Sequence, residues 1–156
     1  MTALSDFKGD DLADLLAAPR AVMEGAIVAD GAPNALRFLK ELTAAAKVFK
    51  HAQRDENDFV RAVANRLREE GTGESEGKGL PDPDEAIARA IGTTERAVSL
   101  IRSDLDREAY GDWLVRIATE VAEASRSREG GFFSKKVAVS KGERDFIQRL
   151  EEAVED

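Results

Sequence analysis

The sequence predicts an all-α fold of about eight helices, and three observations support this. Apolar residues recur three or four positions apart along most of the 156 residues, which is typical of helices that bury one face. Alternation of apolar and polar residues, the pattern of a strand, is almost absent, and only residues 137–139 resemble a short extended piece. Helix-start signals divide the periodic stretches. We expect one helical domain, with halves 1–70 and 82–156 joined by a flexible, Gly/Ser/Glu-rich linker at 71–81.

Four helices are predicted in the first half. The first is short and ends near Leu16. Proline is favoured at the first position of a helix, so Pro19 and Pro33 are expected to open the second and third helices. Asn57 or Asp55 caps the fourth. The residues expected to face inward on the third and fourth helices keep a helical spacing, and they are Ala35, Phe38, Leu39, Leu42, Ala46, Phe49, Phe59, Val60, Val63 and Leu67.

Four more helices are predicted in the second half. At 82–85 an N-cap aspartate, a proline at the first position and a glutamate at the third coincide, which marks the start of a fifth helix. Because glycine often ends helices, this one is expected to stop at Gly92, with a sixth directly after it. A seventh spans about 107–127, and a capping box at 140–143 starts the eighth. The inward residues of the last three are Val98, Ile101, Leu105, Tyr110, Trp113, Leu114, Ile117, Val121, Phe146, Ile147, Leu150 and Val154.

Composition and charge exclude several kinds of site and partner. The chain has no cysteine, which excludes disulfides, thiolate metal ligands and thiol catalysis. The net charge of −8 argues against nucleic acid as a partner. No apolar run approaches the ~20 residues that span a bilayer, and a secretory signal is not recognisable, so we expect a cytoplasmic protein without an integral membrane segment. No phosphate loop, nucleophile elbow or dinucleotide fingerprint is present, which favours a protein without enzymatic activity.

Asp30 is unusual because it stands at the predicted C-terminal end of the second helix. A carboxylate there faces the negative end of the helix dipole, which typically costs ~0.3–1 kcal/mol. One interpretation is a turn role, in which the side chain accepts hydrogen bonds from backbone N–H groups between Gly31 and Pro33. The other is a divalent cation held together with a second acidic residue, for which Glu123 is the candidate. Asp30 and Glu123 are thus the candidate metal ligands, and a divalent cation is the one cofactor that the sequence suggests.

The segment 126–144 is basic although the chain is acidic. It carries six basic and two acidic side chains, a local net charge of +4. Gly130 and Gly131 allow unusual backbone angles, and two phenylalanines follow them. One interpretation is structural, with arginines complementing a helix C-terminus and one phenylalanine packed in the core. The other is a binding site for a protein partner, formed by Arg128, Phe132, Phe133, Lys135 and Lys136.

Two short motifs resemble the TerB-like family, which is named after tellurite-resistance protein B. Residues 29–31, Ala-Asp-Gly, are similar to a helix ending of that family, and Ser140 with Glu143 is similar to its Ser/Thr-x-x-Glu helix start. A weak internal similarity between 22–42 and 114–150 also predicts two pseudo-repeated halves. The resemblance implies an all-helical fold and a role in bacterial stress or resistance systems. Metal binding is suspected for the family, and no catalytic mechanism is established for it.

These observations lead to one leading hypothesis and two alternatives. The leading hypothesis is a non-enzymatic, TerB-like stress or resistance accessory protein that acts by binding a partner, with a metal ion as a further ligand. The first alternative is a structural helical module that forms a homo-oligomer and binds no ligand. The second is a metal-dependent hydrolase that uses Glu120, Glu123 or Asp30.

Overall fold

The all-α fold class is confirmed by the computed structural model, which describes residues 3–29, 35–70, 82–127 and 141–155. Within these ranges every regular element is helical. A short 3₁₀ turn at Leu4–Asp6 is followed by six α-helices: α1 Gly9–Val28, α2 Ala35–Ala52, α3 Asp58–Glu70, α4 Pro83–Leu100, α5 Asp104–Ser127 and α6 Lys141–Glu155. The predicted number of eight helices is therefore wrong for the part of the chain that the structure describes, and two mergers account for the difference.

The first merger joins the first two predicted helices into α1, which continues through Pro19. Proline has no N–H, so the carbonyl of Leu15, four residues earlier, loses its helical hydrogen bond. That carbonyl instead accepts a hydrogen bond from the phenolic hydroxyl of Tyr110 on α5, at 2.7 Å. The buried acceptor is satisfied from outside the helix, and α1 remains continuous.

The second merger joins the fifth and sixth predicted helices into α4, which continues through Gly92. Its predicted start is confirmed, because the Asp82 carboxylate accepts hydrogen bonds from the backbone N–H groups of Asp84 and Glu85 at 3.1 and 3.3 Å. The buried residues of α4 stand on both sides of the glycine and are Ala86, Ala90, Thr93, Thr94, Ala97 and Val98. Burial of this whole face outweighs the helix-breaking tendency of one glycine, which is about 0.5–1 kcal/mol.

One core joins residues from both sides of the 71–81 segment. The most extensive helix pairs are α1 with α4 and α2 with α5, and α6 packs on α4 and α5. An aromatic chain runs through the α2–α3–α5 side, with ring centroids 5.8–6.1 Å apart between Phe7, Phe59, Tyr110, Trp113 and Phe49. The linker itself lies outside the described residues, and the pseudo-repeat of the halves stays a prediction.

Most residues predicted to face inward are buried. Phe59, Val60, Val63 and Leu67 on α3 and five of the six residues predicted to face inward on α5 belong to the core. On α2, however, the buried residues are Glu41, Ala45, Val48 and Ala52, so the helix is rotated from the predicted orientation. The predicted inward residues Leu39 and Ala46 are exposed as a result, and Leu105, in the first turn of α5, is exposed as well.

Candidate functional site

A shallow groove between α2 and α5 is the larger of two candidate sites in the described part of the chain, and we call it the α2/α5 groove. It encloses about 500 Å³ and is open to solvent. Its lining residues are Leu39, Lys40, Thr43, Ala44, Lys47, Glu120, Glu123 and Ala124. The groove therefore combines a small apolar floor with two lysines on the α2 wall and two glutamates on the α5 wall.

The spacing of residues along each helix creates these two walls. Lys40 and Lys47 are seven residues apart, which is about two helical turns, so both project from the same face of α2. Glu120 and Glu123 are three residues apart and share a face of α5 in the same way. The opposite face of each helix is buried in the core, where Val48 and Ile117 are examples. Core packing thus sends all four charged side chains outward.

These four charges have no partner within the described residues. None of Lys40, Lys47, Glu120 and Glu123 takes part in an ion pair there. Exposed arginines on other helices behave differently, and the ion pairs include Arg61 with Asp58, Arg66 with Glu70, Arg89 with Glu24 and Arg96 with Asp14. The groove thus presents charges of both signs that the described part of the chain leaves available.

Leu39 adds an exposed apolar group to the groove. It is 60% exposed, and the only other large apolar side chain with comparable exposure in the described ranges is Leu105. A fully exposed leucine that becomes buried contributes about 1.5–3 kcal/mol. A partner that covers Leu39 would therefore gain a substantial part of that free energy.

Only one of the two predicted metal ligands lies within the described residues. Glu123 lies in the α2/α5 groove and is exposed, as is Glu120. Asp30 lies outside the described residues. Among the residues that the structure does describe, no three His, Asp or Glu side chains form a group that could hold a metal ion. Binding of a divalent cation by Asp30 and Glu123 stays a prediction.

The predicted partner-binding residues also lie outside the described ranges. These are Arg128, Phe132, Phe133, Lys135 and Lys136. They follow directly after α5, the helix that supplies the acidic wall of the groove. Sequence reasoning missed Leu39, Lys40 and Lys47 as site residues. The sequence does place the two lysines on one face, since residues seven apart on a helix share a face. The same spacing is found on any solvated helix face, so it does not by itself indicate a binding site.

Three carboxylates are buried elsewhere in the described part of the chain. Asp106 accepts a hydrogen bond from the Asn57 side-chain amide at 2.9 Å. The Asn57 carbonyl oxygen in turn accepts from the backbone N–H of Val60 at 2.9 Å, which caps α3. Glu143 stands in the first turn of α6, where the helix dipole favours a negative charge. Glu41 is fully buried on the core face of α2.

A smaller groove between α1 and α3 is a weaker candidate. It encloses about 380 Å³, and its charged lining residues are Arg20, Arg66 and Glu70. Arg66 already pairs with Glu70 at 3.3 Å. No large apolar side chain as exposed as Leu39 lines this groove. A partner would therefore gain less free energy from apolar burial here than in the α2/α5 groove.

Comparisons with known proteins add no relative. No family model, no curated protein and no solved structure matches this chain. The TerB-like resemblance accordingly stays a prediction. No helix within the described ranges combines the length and the apolar character needed to cross a membrane.

Proposed function

We propose that this protein is a non-enzymatic accessory protein of the TerB-like type, active in a bacterial stress or resistance system, and that it acts by binding a protein partner in the α2/α5 groove. The observation that carries the proposal is the exposed Leu39 between two lysines and two glutamates that have no partner within the described residues. A protein surface can match an apolar centre and charges of both signs at once.

Other ligand classes fit this groove less well. Phosphate groups of a nucleic acid or an anionic lipid would be attracted to Lys40 and Lys47 but repelled by Glu120 and Glu123. A metal ion would be attracted to the glutamates but would lie close to the lysine ammonium groups. A protein partner avoids both conflicts, because it can place acidic side chains beside α2 and basic side chains beside α5.

Photo-crosslinking tests this proposal directly. A photoreactive amino acid is placed at position 39 and, as a control, at position 105, since Leu39 and Leu105 are 60% and 71% exposed. After irradiation in living cells, mass spectrometry identifies the crosslinked proteins. We expect a defined protein adduct from position 39 that is lost on charge reversal of Lys40 and Lys47. Equal adducts from both positions, or none from position 39, would contradict the proposal.

The basic segment after α5 is tested separately, because the sequence predicts a partner-binding site there. Charge reversal of Lys135 and Lys136 should weaken the adduct formed at position 39. If adduct formation is unchanged, Lys135 and Lys136 take no part in binding that partner, while the groove keeps its role.

Cation binding near Asp30 is a further prediction with its own measurement. Thermal unfolding of metal-stripped protein is followed against a panel of divalent cations. A ligand that binds only the folded state stabilises it by about 2.7 kcal/mol at ~100 times its Kd. A shift for one ion that disappears in Asp30→Asn and in Glu123→Gln would support the predicted pair of ligands. If no ion shifts the transition, neither residue is a ligand.

A further inference from the structure

We infer that the partner in the α2/α5 groove is a second copy of this chain, and that the two copies pack face to face about a two-fold axis that runs along the groove. This inference rests on the proposed function, because it names the occupant of the same site. It is argued from the order of charges on the two walls and from the direction of the two helices.

The helices α2 and α5 run antiparallel to each other. Near the start of α2, Lys40 shares the groove with Glu123 close to the end of α5. Farther along α2, the Phe49 ring lies 6.0 Å from the Trp113 ring, which stands earlier in α5. The basic wall and the acidic wall therefore lie side by side along one face. Lys40 is level with Glu123, and Lys47 is level with the exposed Arg116, about one helical turn before the glutamates.

A two-fold axis in the plane of this face has two simple orientations. An axis across the groove places α2 on α2 and α5 on α5, so that lysines meet lysines and glutamates meet glutamates. An axis along the groove places α2 of one copy on α5 of the other, so that Lys40 meets Glu123 and Lys47 lies about one helical turn from Glu120. An interface of this kind is self-complementary, as closed dimers require. Like charges opposed across an interface are unfavourable, so the charge pattern selects the axis along the groove.

The same axis also favours burial of the exposed leucine and antiparallel packing of the helices. It brings the two Leu39 side chains into a shared region with Ala44 and Ala124, where small residues allow close approach of helices. It makes α2 of one copy antiparallel to α5 of the other. Four antiparallel helices would then form the centre of the dimer, a common arrangement in helical bundles.

Sedimentation analysis of charge-reversed variants tests this dimer. The wild-type chain of 17.0 kDa should sediment as a species of twice that mass, and the dimer should weaken as the salt concentration rises. Lys40→Glu/Lys47→Glu should raise the dimer dissociation constant by about tenfold or more, and so should Glu120→Lys/Glu123→Lys. The matched controls, Arg144→Glu/Arg149→Glu and Glu151→Lys/Glu152→Lys, change the net charge equally on exposed positions of α6 and should leave the dimer intact.

The decisive measurement combines the reversed charges. Mixing the two double variants should restore a dimer, because a face with four acidic side chains then meets a face with four basic ones. Joining all four substitutions in one chain should also restore self-association, since the two walls simply exchange signs. Circular dichroism confirms that each variant is folded. A hetero-partner would not follow this pattern, because its own charges stay the same.

Several outcomes would overturn the inference. A wild-type chain that stays monomeric up to near-millimolar concentration has no such dimer. A dimer that all the groove variants leave unchanged uses another surface. A crosslink from position 39 to residues 128–140 of the same molecule would make that segment the occupant. A crosslink to a different protein, with a monomeric wild-type chain, would remove the dimer and leave the proposed function standing.

Discussion

The phenolic oxygen of Tyr110 lies 2.7 Å from the main-chain carbonyl oxygen of Leu15, and this hydrogen bond joins the N-terminal half of α5 to the N-terminal half of α1. The acceptor is available because residue 19 is proline and cannot donate to the carbonyl four residues before it. Pro19 in α1 and Tyr110 in α5 therefore form one structural unit although they are far apart in the sequence.

A double-mutant cycle should reveal this coupling. Tyr110→Phe leaves the buried Leu15 carbonyl without its donor, so we expect a loss of about 1–3 kcal/mol in the free energy of unfolding. In a Pro19→Ala background the alanine N–H can bond the same carbonyl, and the cost of Tyr110→Phe should fall by at least half. Urea unfolding followed by the fluorescence of Trp113, the single tryptophan, measures all four proteins. Equal costs in the two backgrounds would show that Pro19 and Tyr110 are independent.

The same tyrosine should make the fold sensitive to alkaline pH. Burial, with a smaller contribution from the Asp14 carboxylate, raises the pKa of Tyr110 above its ordinary value. The neutral hydroxyl is thus favoured in the folded state, so this contribution to stability is complete below the unfolded-state pKa of about 10 and is lost as the pH rises above it. The wild-type chain should lose about 1.4 kcal/mol more than Tyr110→Phe between pH 8 and pH 11.

Spectroscopy can check this pH dependence at the residue itself. Tyr110 is the only tyrosine in the chain, so tyrosinate absorbance reports on it alone. Ionisation should coincide with unfolding in an alkaline titration. If tyrosinate forms with an ordinary midpoint while Trp113 fluorescence remains native, the raised pKa is incorrect.

Substitution by alanine should destabilise the protein at two helical glycines and stabilise it at a third. A Cβ atom at Gly25 would lie 2.9 Å from the Phe146 ring and 3.2 Å from the Cβ of Ala90, and one at Gly111 would lie 2.8 Å from the Cβ of Val154. We expect Gly25→Ala and Gly111→Ala to cost about 1–3 kcal/mol, because helices α1 and α5 would have to separate from their neighbours.

Gly92 is the matched control for those two positions. Its added Cβ would meet only the end of the Arg96 side chain, at 3.6 Å. Gly92→Ala should therefore stabilise the protein by about 0.5–1 kcal/mol through the higher helix propensity of alanine. Thermal unfolding of the three variants gives the comparison, and destabilisation by Gly92→Ala would mean that α4 needs a break at this position.

The cap of α4 offers a further test of local structure. Asp82→Ala removes the acceptor for two backbone N–H groups and should cost about 0.5–2 kcal/mol. Asp82→Asn should retain most of the stability, because asparagine caps about as well. Asp84→Ala, two residues later, is the control for loss of negative charge near the helix dipole. A cost at Asp84 equal to that at Asp82 would assign the effect to charge rather than to capping.

Local patterns in the sequence predicted the helical class, the Asp82 cap and the core faces of α3 and α5, because each depends on residues that are close in the chain. They failed where distant residues decide the result. Pro19 indicates a helix start until the donor on Tyr110 is known. Gly92 indicates a helix end until the packing of α4 on α1 is known. The rotation of α2, which exposes Leu39, depends on which face α5 covers, and the spacing of apolar residues within α2 does not contain that information.

Leu39 allows binding to be separated from folding. Because its side chain is 60% exposed, Leu39→Ser should change the free energy of unfolding by no more than about 0.5 kcal/mol. It should nevertheless weaken capture at the α2/α5 groove, since the apolar centre of that surface is removed. Leu105→Ser is the control, because Leu105 is 71% exposed and does not line the groove. Thermal unfolding and sedimentation of both variants give the two readouts. If Leu39→Ser destabilises the fold by several kcal/mol, or if both variants associate like the wild type, Leu39 is not the centre of a binding surface.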